Sequence, residues 1–192
     1  MVRQFDEDSV LDKVLEVFWS QGWLSTSMAD LAAAAQVQRG SLYHAYGGKD
    51  RLFELAFERY AQRVLSESEQ VLHGATAAEV IQGFLAQSVQ RMRGNDLARG
   101  CFTTRTALEG DALGASMRQR LQALVDGQEA LLTQALARAE VVDTLAVSPD
   151  TAARLITAFT RGLAVIERVY GDEERLRAIS QDLVHLLAKP AP

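Results

Sequence analysis

Residues 26–53 read TSMADLAAAAQVQRGSLYHAYGGKDRLF, and this segment has the clearest structural pattern in the chain. The alanine run at residues 32–35 makes a narrow helix that a second helix can cross closely. Val37 and Leu42 are apolar and can fill the corner between the two helices. The pattern therefore predicts a helix, a tight turn, a second helix and then a longer helix that starts near Lys49, which is the order of a helix-turn-helix.

The polar side chains around the predicted second helix suit contact with nucleic acid; they are Gln38, Arg39, Ser41, Tyr43 and His44. In a helix-turn-helix the second helix enters the major groove of DNA, with its N-terminal residues near the base edges. Arg39 is the best candidate for bidentate hydrogen bonding to guanine. For Tyr43 and His44, packing in the corner is the alternative.

Helical periodicity continues through the rest of the chain, and no alternation typical of β-strands occurs. Ser148 followed by Pro149 is a strong helix start, because serine caps a helix and proline suits its first position. The predicted fold class is all-α, and the boundary between its two functional parts lies within the long fourth helix. We expect helices over residues 6–21, 28–35, 39–45, 49–72, 77–93, 100–109, 112–142, 149–170 and 173–188.

The composition is that of a soluble globular protein, with 192 residues of which 48% are hydrophobic and 23% are charged. Cys101 is the single cysteine, which excludes an intrachain disulfide and a CxxC metal site and fits a reducing cytosol. The N-terminus has no secretory pattern, and no uncharged apolar run approaches the roughly 18 residues that span a membrane. We therefore expect a cytoplasmic protein without a membrane segment, a metal or a cofactor.

The net charge of −5 is unexpected for a protein that contacts phosphates. Acidic residues concentrate in the first predicted helix, whereas residues 36–53 hold three basic side chains and one acidic side chain. The helix-turn-helix can therefore be locally positive. A small number of phosphate contacts predicts that DNA affinity depends only weakly on salt concentration.

The ordered pattern in about the first 55 residues resembles the TetR/AcrR family of transcriptional regulators. The matching residues are Gly22-Trp23, Thr26-Ser27-Met28, Asp30-Leu31-Ala32-Ala33, Val37-Gln38, Arg39-Gly40-Ser41-Leu42-Tyr43, Tyr46 and Lys49-Asp50-Arg51-Leu52. The resemblance implies an N-terminal three-helix helix-turn-helix DNA-binding domain over residues 1–50 and a helical ligand-binding and dimerisation domain over residues 51–192. It also implies DNA contacts by Thr26, Ser27, Gln38, Arg39, Gly40, Ser41, Tyr43, His44 and Lys49. Lys49 would meet a phosphate at the start of the fourth helix, where the helix dipole attracts anions.

Two positions depart from the family pattern. Gln36 stands where the tight turn usually has glycine, and a left-handed backbone at a non-glycine residue costs about 1 kcal/mol, so the turn is either slightly strained or differently shaped. Ala45 stands where a bulkier and often aromatic residue is common. Both departures leave the expected fold intact and make the operator sequence unpredictable.

The resemblance places an effector pocket in the C-terminal domain, with Cys101 at its wall at the start of the sixth helix. Cys101 is either a small buried hydrophobe or a thiol that senses electrophiles or oxidants, its pKa lowered by the helix N-terminus and by Arg99 and Arg105. A catalytic nucleophile is the weakest alternative. Apolar walls with a few hydroxyls suit a small apolar or aromatic effector. The pocket candidates, each with core packing as its alternative, are Phe57, Tyr60, Phe84, Ser88, Met92, Cys101, Phe102, Thr103, Leu124, Gln128 and Phe159.

Two apolar stripes near the C-terminus predict a homodimer, with two helices from each subunit forming a four-helix bundle. Gly162 within a helix costs about 1 kcal/mol relative to alanine, and close helix approach across the two-fold axis would explain it. The alternative is that the stripes pack only internally. The candidate dimer contacts are Leu155, Phe159, Gly162, Leu163, Ile166, Leu176, Ile179, Leu183 and Leu186.

These features together predict a ligand-responsive transcriptional regulator. By default the resemblance implies a repressor that binds a palindromic operator as a dimer and is released by a small molecule or by modification of Cys101, with an activator as the alternative. The alternative is a helical small-molecule-binding protein or enzyme that does not bind DNA. Against an enzyme, the sequence has no HExxH, GxGxxG or Walker pattern. The expected partners are operator DNA, a small-molecule effector and a second copy of the chain, with no membrane.

Overall fold

The computed structural model describes residues 6–93, 100–109 and 112–190, and this part of the chain is helical. No β-strand occurs in these ranges, where an isolated antiparallel bridge joins Leu145 and Ala188. The prediction of an all-α fold is confirmed. The helices are α1 (Glu7–Gln21), α2 (Met28–Ala35), α3 (Arg39–Tyr46), α4 (Lys49–Val71), α5 (Ala77–Arg93), α6 (Phe102–Leu108), α7 (Ala115–Leu136), α8 (Ala139–Val142), α9 (Pro149–Tyr170) and α10 (Glu173–Leu187).

The chain forms two compact units that divide within α4, between Arg63 and Val64. The first unit contains the described part of residues 1–63 together with residues from 105 to 121. The second unit contains the described part of residues 64–104 and 122–192. The predicted domains covered residues 1–50 and 51–192. The described part of residues 105–121 joins the first unit through contacts between residues distant in the sequence, which no local pattern indicates.

Aromatic contacts fill the core of the first unit, in which α1 packs on α2 and α2 on α3. The ring centroids of Phe18 and Phe53 lie 4.7 Å apart, and the Trp19 and Tyr60 rings meet edge to face at 5.3 Å. Such edge-to-face pairs add about 0.5–1.5 kcal/mol to the free energy gained by burying the rings. Because Phe53 and Tyr60 both lie on α4, these contacts fix the first turns of α4 against α1.

In the second unit, α5 packs against both α9 and α10, which also pack on each other. The Ser148 side chain accepts a hydrogen bond from the Thr151 N–H, and Pro149 occupies the first turn of α9, so this predicted helix start is confirmed. Arg138 interrupts the predicted helix over residues 112–142. Its backbone is extended and its guanidinium donates to the carbonyl oxygens of Ala135 and Gly74, so α7 and α8 are separate helices. No helix in the described ranges is long and apolar enough to cross a membrane.

Candidate DNA interface and thiol site

The start of α2 is closed by a capping box. The Ser27 side chain accepts from the Asp30 N–H at 3.2 Å, and the Asp30 carboxylate accepts from the Ser27 N–H at 2.8 Å. The Ser27 hydroxyl is exposed but also donates to this carboxylate. Thr26 is only 3% exposed, and its hydroxyl donates to the Gly22 carbonyl at 2.5 Å. The prediction that the Thr26 side chain contacts a phosphate is therefore wrong, because that side chain is packed inside the unit.

The turn between α2 and α3 has the strained geometry, which is one of the two alternatives that the sequence left open. Gln36 has φ 58° and ψ 38°, in the left-handed region, and it is the non-glycine residue with positive φ in the described ranges. Its N–H closes α2 by donating to the carbonyl oxygens of Ala32 and Ala33. This is a position that favours glycine, because a Cβ atom crowds the backbone there.

Replacing Gln36 by glycine is expected to stabilise the protein by about 0.5–1 kcal/mol, since relief of the strain outweighs the added freedom of the unfolded chain. The melting temperature should rise by about 1–4 °C in thermal unfolding followed by circular dichroism. Gln36→Ala is the matched control, because it removes the side chain and keeps the strain. A Gly variant that melts no higher than the Ala variant would contradict this account.

The outer face of α3 carries most of the predicted DNA contacts. Leu42 and Tyr46 are buried and anchor the helix. The side chains that share the opposite, solvent-facing surface are Gln38, Arg39, Tyr43 and His44, with Ser41 half-buried beside them. Tyr43 is 54% exposed, so the alternative that it packs into the corner does not hold. A Cβ atom added to Gly40 would have no neighbour within 4 Å, which leaves the backbone open to close approach by a ligand.

Lys49, at the first position of α4, is held by Trp23. Its Nζ donates to the Trp23 carbonyl oxygen at 2.9 Å and lies 4.2 Å from the centre of the indole ring. The indole Nε1 donates in turn to Asp50 Oδ1 at 3.1 Å. An ammonium group has three N–H donors, so two remain for the phosphate that the resemblance implies.

Cys101 lies directly before α6 and is partly buried beside an arginine that sequence analysis missed. Arg161 Nη1 donates to the Cys101 Sγ at 3.3 Å, and its Nη2 donates to Gln128 Oε1 at 2.8 Å. Burial raises the pKa of the thiol, but the Arg161 charge and hydrogen bonds from Thr104 and Thr103 outweigh it and lower the pKa below its ordinary value.

The sequence assigned this electrostatic role to Arg99 and Arg105. Arg99 lies outside the described residues, and the charge that lowers the pKa of the thiol is that of Arg161, not that of Arg105. The sequence did contain an indication that the Arg161 side chain faces inward. Arg161 lies four residues after Thr157 and three before Ala164, and both of these residues are buried on α9. A basic residue at that helical spacing faces inward and needs a polar partner.

The predicted pocket residues divide between the two units. Phe57 and Tyr60 are buried in the first unit, where Tyr60 packs against Trp19, which favours the alternative of core packing for these two residues. The Ser88 hydroxyl donates to the Phe84 carbonyl at 2.9 Å and is satisfied within its own helix. The candidates that lie in the second unit are Phe84, Ser88, Met92, Cys101, Phe102, Thr103, Leu124 and Gln128, all buried except the partly buried Cys101, together with the partly buried Phe159.

An apolar stripe on α9 remains exposed in the single chain. Leu155 and Gly162 lie on it as predicted, and a Cβ atom added to Gly162 would meet nothing within 4 Å. The stripe also includes Ala158, Val165 and Val169, which the sequence analysis did not name.

The other predicted dimer contacts differ in exposure. Leu163 is 1% exposed and Leu176 is fully buried, so both are core residues of the protomer and the expectation that they contact a second copy is corrected. Leu186 on α10 is largely exposed. The remaining candidates are partly buried: Phe159, Ile166, Ile179 and Leu183.

In the comparison with known proteins, the N-terminal and C-terminal parts of the chain match domains of the same family. Residues 10–56 match the family described as bacterial regulatory proteins, tetR family, and residues 77–183 match the tetracyclin repressor-like C-terminal domain. The HTH-type transcriptional repressor ComR of Escherichia coli (strain K12) is 25% identical over 191 residues, which cover 96% of this chain and 90% of that protein.

Two solved structures share the fold over almost the whole chain. A cysteine mutant of the TetR family transcriptional regulator CifR, complexed with a 26-base-pair operator DNA, has a TM-score of 0.84 and 27% identity, covering 97% of this chain and 99% of that chain. The reduced form of E. coli NemR has a TM-score of 0.80 and 23% identity, covering 96% of this chain and 98% of that chain.

Proposed function

Because the chain belongs to the TetR family of bacterial regulatory proteins, and is thus a transcriptional regulator, we propose that it acts in the cytoplasm as a repressor. In this proposal a homodimer binds a palindromic operator, and a small molecule or modification of Cys101 releases it. The observation that carries the proposal is the exposed polar face of α3, held on the buried anchors Leu42 and Tyr46. CifR, which is 27% identical, has been solved on its operator DNA and supports the same role for this chain.

The α9 stripe supports the homodimer. Exposed Leu155, Val165 and Val169 would leave water when two copies pack together, and Gly162 would let the two α9 helices approach closely. Two α3 helices related by the two-fold axis would then enter successive major grooves about 34–36 Å apart. A palindromic operator follows from this symmetry.

The contact between Cys101 and Arg161 supports release by a thiol-modifying effector. A lowered pKa increases the fraction of thiolate, which is the nucleophilic form. With a soft electrophile such as an α,β-unsaturated carbonyl compound, the sulfur would form a bond to the β-carbon and the resulting enolate would take a proton from water. The adduct would replace the charge that Arg161 faces with a neutral thioether, so Arg161 and Gln128 would have to rearrange.

Selection from a random DNA library at fixed salt, with and without N-ethylmaleimide, tests the proposed function. The expected result is a palindrome that wild-type protein enriches and loses after treatment, and that Cys101→Ser retains after the same treatment. Loss of binding in both proteins would refute release through the thiol. Failure of the untreated wild-type protein to enrich any sequence would refute operator binding.

Replacing Arg161 by glutamine is expected to raise the pKa of Cys101, because the positive charge that stabilises the thiolate is removed. Alkylation by iodoacetamide follows the thiolate, so the pH of half-maximal rate should move upward and the rate at pH 7 should fall several-fold. Arg154→Gln is the matched control, since Arg154 lies on the same helix and is exposed. Equal rate profiles for the two variants would show that Arg161 does not activate the thiol.

A further inference from the structure

A carboxylate that follows α6 contacts the turn between α1 and α2 of the first unit. The backbone N–H of Trp23 donates to Glu109 Oε2 at 2.8 Å, although the two residues are 86 positions apart in the sequence. A Cβ atom added to Gly22 would overlap the Glu109 carboxylate. The glycine therefore supplies both the positive φ of 83° at the end of α1 and the space that this contact requires.

Two residues at the start of α4 form hydrogen bonds with the other polar groups of Trp23. Its carbonyl oxygen accepts from Lys49 Nζ at 2.9 Å, and its indole N–H donates to Asp50. With Glu109 on its backbone N–H, each polar group of Trp23 has a partner from a distant part of the chain. Ser27, which caps α2, follows four residues later, and α2 carries α3 by packing. The position of α3 within the unit thus depends on where Trp23 is fixed.

Glu109 is also tied to the end of α6. Its N–H donates to the carbonyl oxygens of Arg105 and Thr106, at 3.3 and 3.2 Å. Cys101 directly precedes Phe102, the first residue of the same helix. One short helix therefore has the thiol at its N-terminal end and the carboxylate that holds Trp23 at its C-terminal end.

We propose that Glu109 is a positioning residue for operator binding, which fixes Trp23, and through it α2 and α3, and releases them when modification of Cys101 disturbs α6. The inference rests on the proposed function, because it presumes that α3 binds DNA. It adds a residue outside the helix-turn-helix that controls the DNA-binding geometry without touching DNA.

Comparison of Glu109→Ala with Glu109→Gln tests the positioning role. Both variants remove the negative charge, so any change in repulsion from DNA is the same in both, but only glutamine retains an oxygen that accepts from the Trp23 N–H. Fluorescence anisotropy with the operator selected by wild-type protein should give an affinity about tenfold lower for the Ala variant than for the Gln variant. Equal affinities would overturn the proposal.

Amide hydrogen exchange at Trp23 gives a second readout that does not involve DNA. Exchange should be about tenfold faster in the Ala variant than in wild type, whereas the Gln variant should stay close to wild type. Melting temperatures of the two variants show whether either has lost its fold. Fast exchange in the Ala variant without loss of operator affinity would also overturn the positioning role.

N-ethylmaleimide tests the link between Cys101 and Glu109, because Cys101 is the single thiol of the chain. Treatment of wild type should raise the exchange rate at Trp23 toward that of the Ala variant, and Cys101→Ser should not respond. An unchanged rate in treated wild type would refute the link. A wild-type protein that selects no operator refutes the proposed function itself, which separates that failure from failure of the Glu109 inference.

Discussion

Replacing Arg39 by alanine lowers affinity for the selected operator by roughly 5- to 150-fold, the range expected for loss of a bidentate contact to guanine. Arg39 is exposed at the first position of α3 and forms no ion pair with a described residue, so its guanidinium is available to DNA. Discrimination at one base pair of each half-site should relax at the same time. Fluorescence anisotropy with the operator and with single-base variants measures both effects.

The Arg39→Lys variant distinguishes recognition of a base by Arg39 from attraction to a phosphate. Lysine keeps the positive charge and loses the planar fork that binds guanine, so it should restore phosphate attraction without base discrimination. Arg51→Ala is a surface control on α4, where Arg51 pairs with Glu54 at 3.0 Å, and it should change affinity much less. An Arg39→Ala protein that binds and discriminates like wild type would exclude α3 as the recognition helix.

Replacing Val165 by glutamate is expected to give a monomer that binds the operator at least a hundredfold more weakly. Val165 is 53% exposed in the single chain and lies on the α9 stripe next to Gly162. Two glutamates facing each other near the two-fold axis would be unpaired charges removed from water, at a cost of several kcal/mol. Loss of the dimer also removes the simultaneous binding of two half-sites.

Sedimentation velocity and anisotropy on the same samples measure the two consequences together. Gln134→Glu adds a carboxylate at an exposed position of α7 and serves as the matched control. It should stay dimeric and bind the operator normally. A Val165→Glu protein that sediments as a dimer would show that the α9 stripe is not the dimer interface.

Helix capping, turn strain and helical periodicity depend on residues close together in the sequence. They therefore predicted the helices and the polar outer face of α3. The start of α9 at Ser148 and the left-handed backbone at Gln36 are examples. The resemblance implied a phosphate contact by Thr26, but its hydroxyl bonds back to the Gly22 carbonyl and its side chain is buried. Periodicity identified buried faces without their partners, so Leu163 and Leu176 were taken for interface residues.

The helical spacing of Arg161 indicates that it faces inward, but the partners of Arg161 and Glu109 were not predicted, for a common reason. Arg161 contacts Cys101 from 60 positions away, and Glu109 contacts Trp23 from 86 positions away. No local pattern encodes such separations, because these pairs depend on how helices distant in the sequence pack. The sequence therefore indicated the α3 face and the thiol, whereas tertiary structure was needed to identify Arg161 beside the thiol and Glu109 beside the Trp23 N–H.

In the proposed mechanism, the solitary thiol beside Arg161 would determine how long the response to a chemical signal lasts. An oxidant would convert the sulfur to sulfenic acid, and with no second cysteine in the chain this acid would condense with a small thiol such as glutathione. Cellular reductants would then regenerate the free thiol, so the response to oxidation would be reversible. A carbon–sulfur adduct is not cleaved by thiol–disulfide exchange, so it would outlast the oxidised forms. Oxidation of Cys101 would thus give a short response, and alkylation of the same residue would give a longer one.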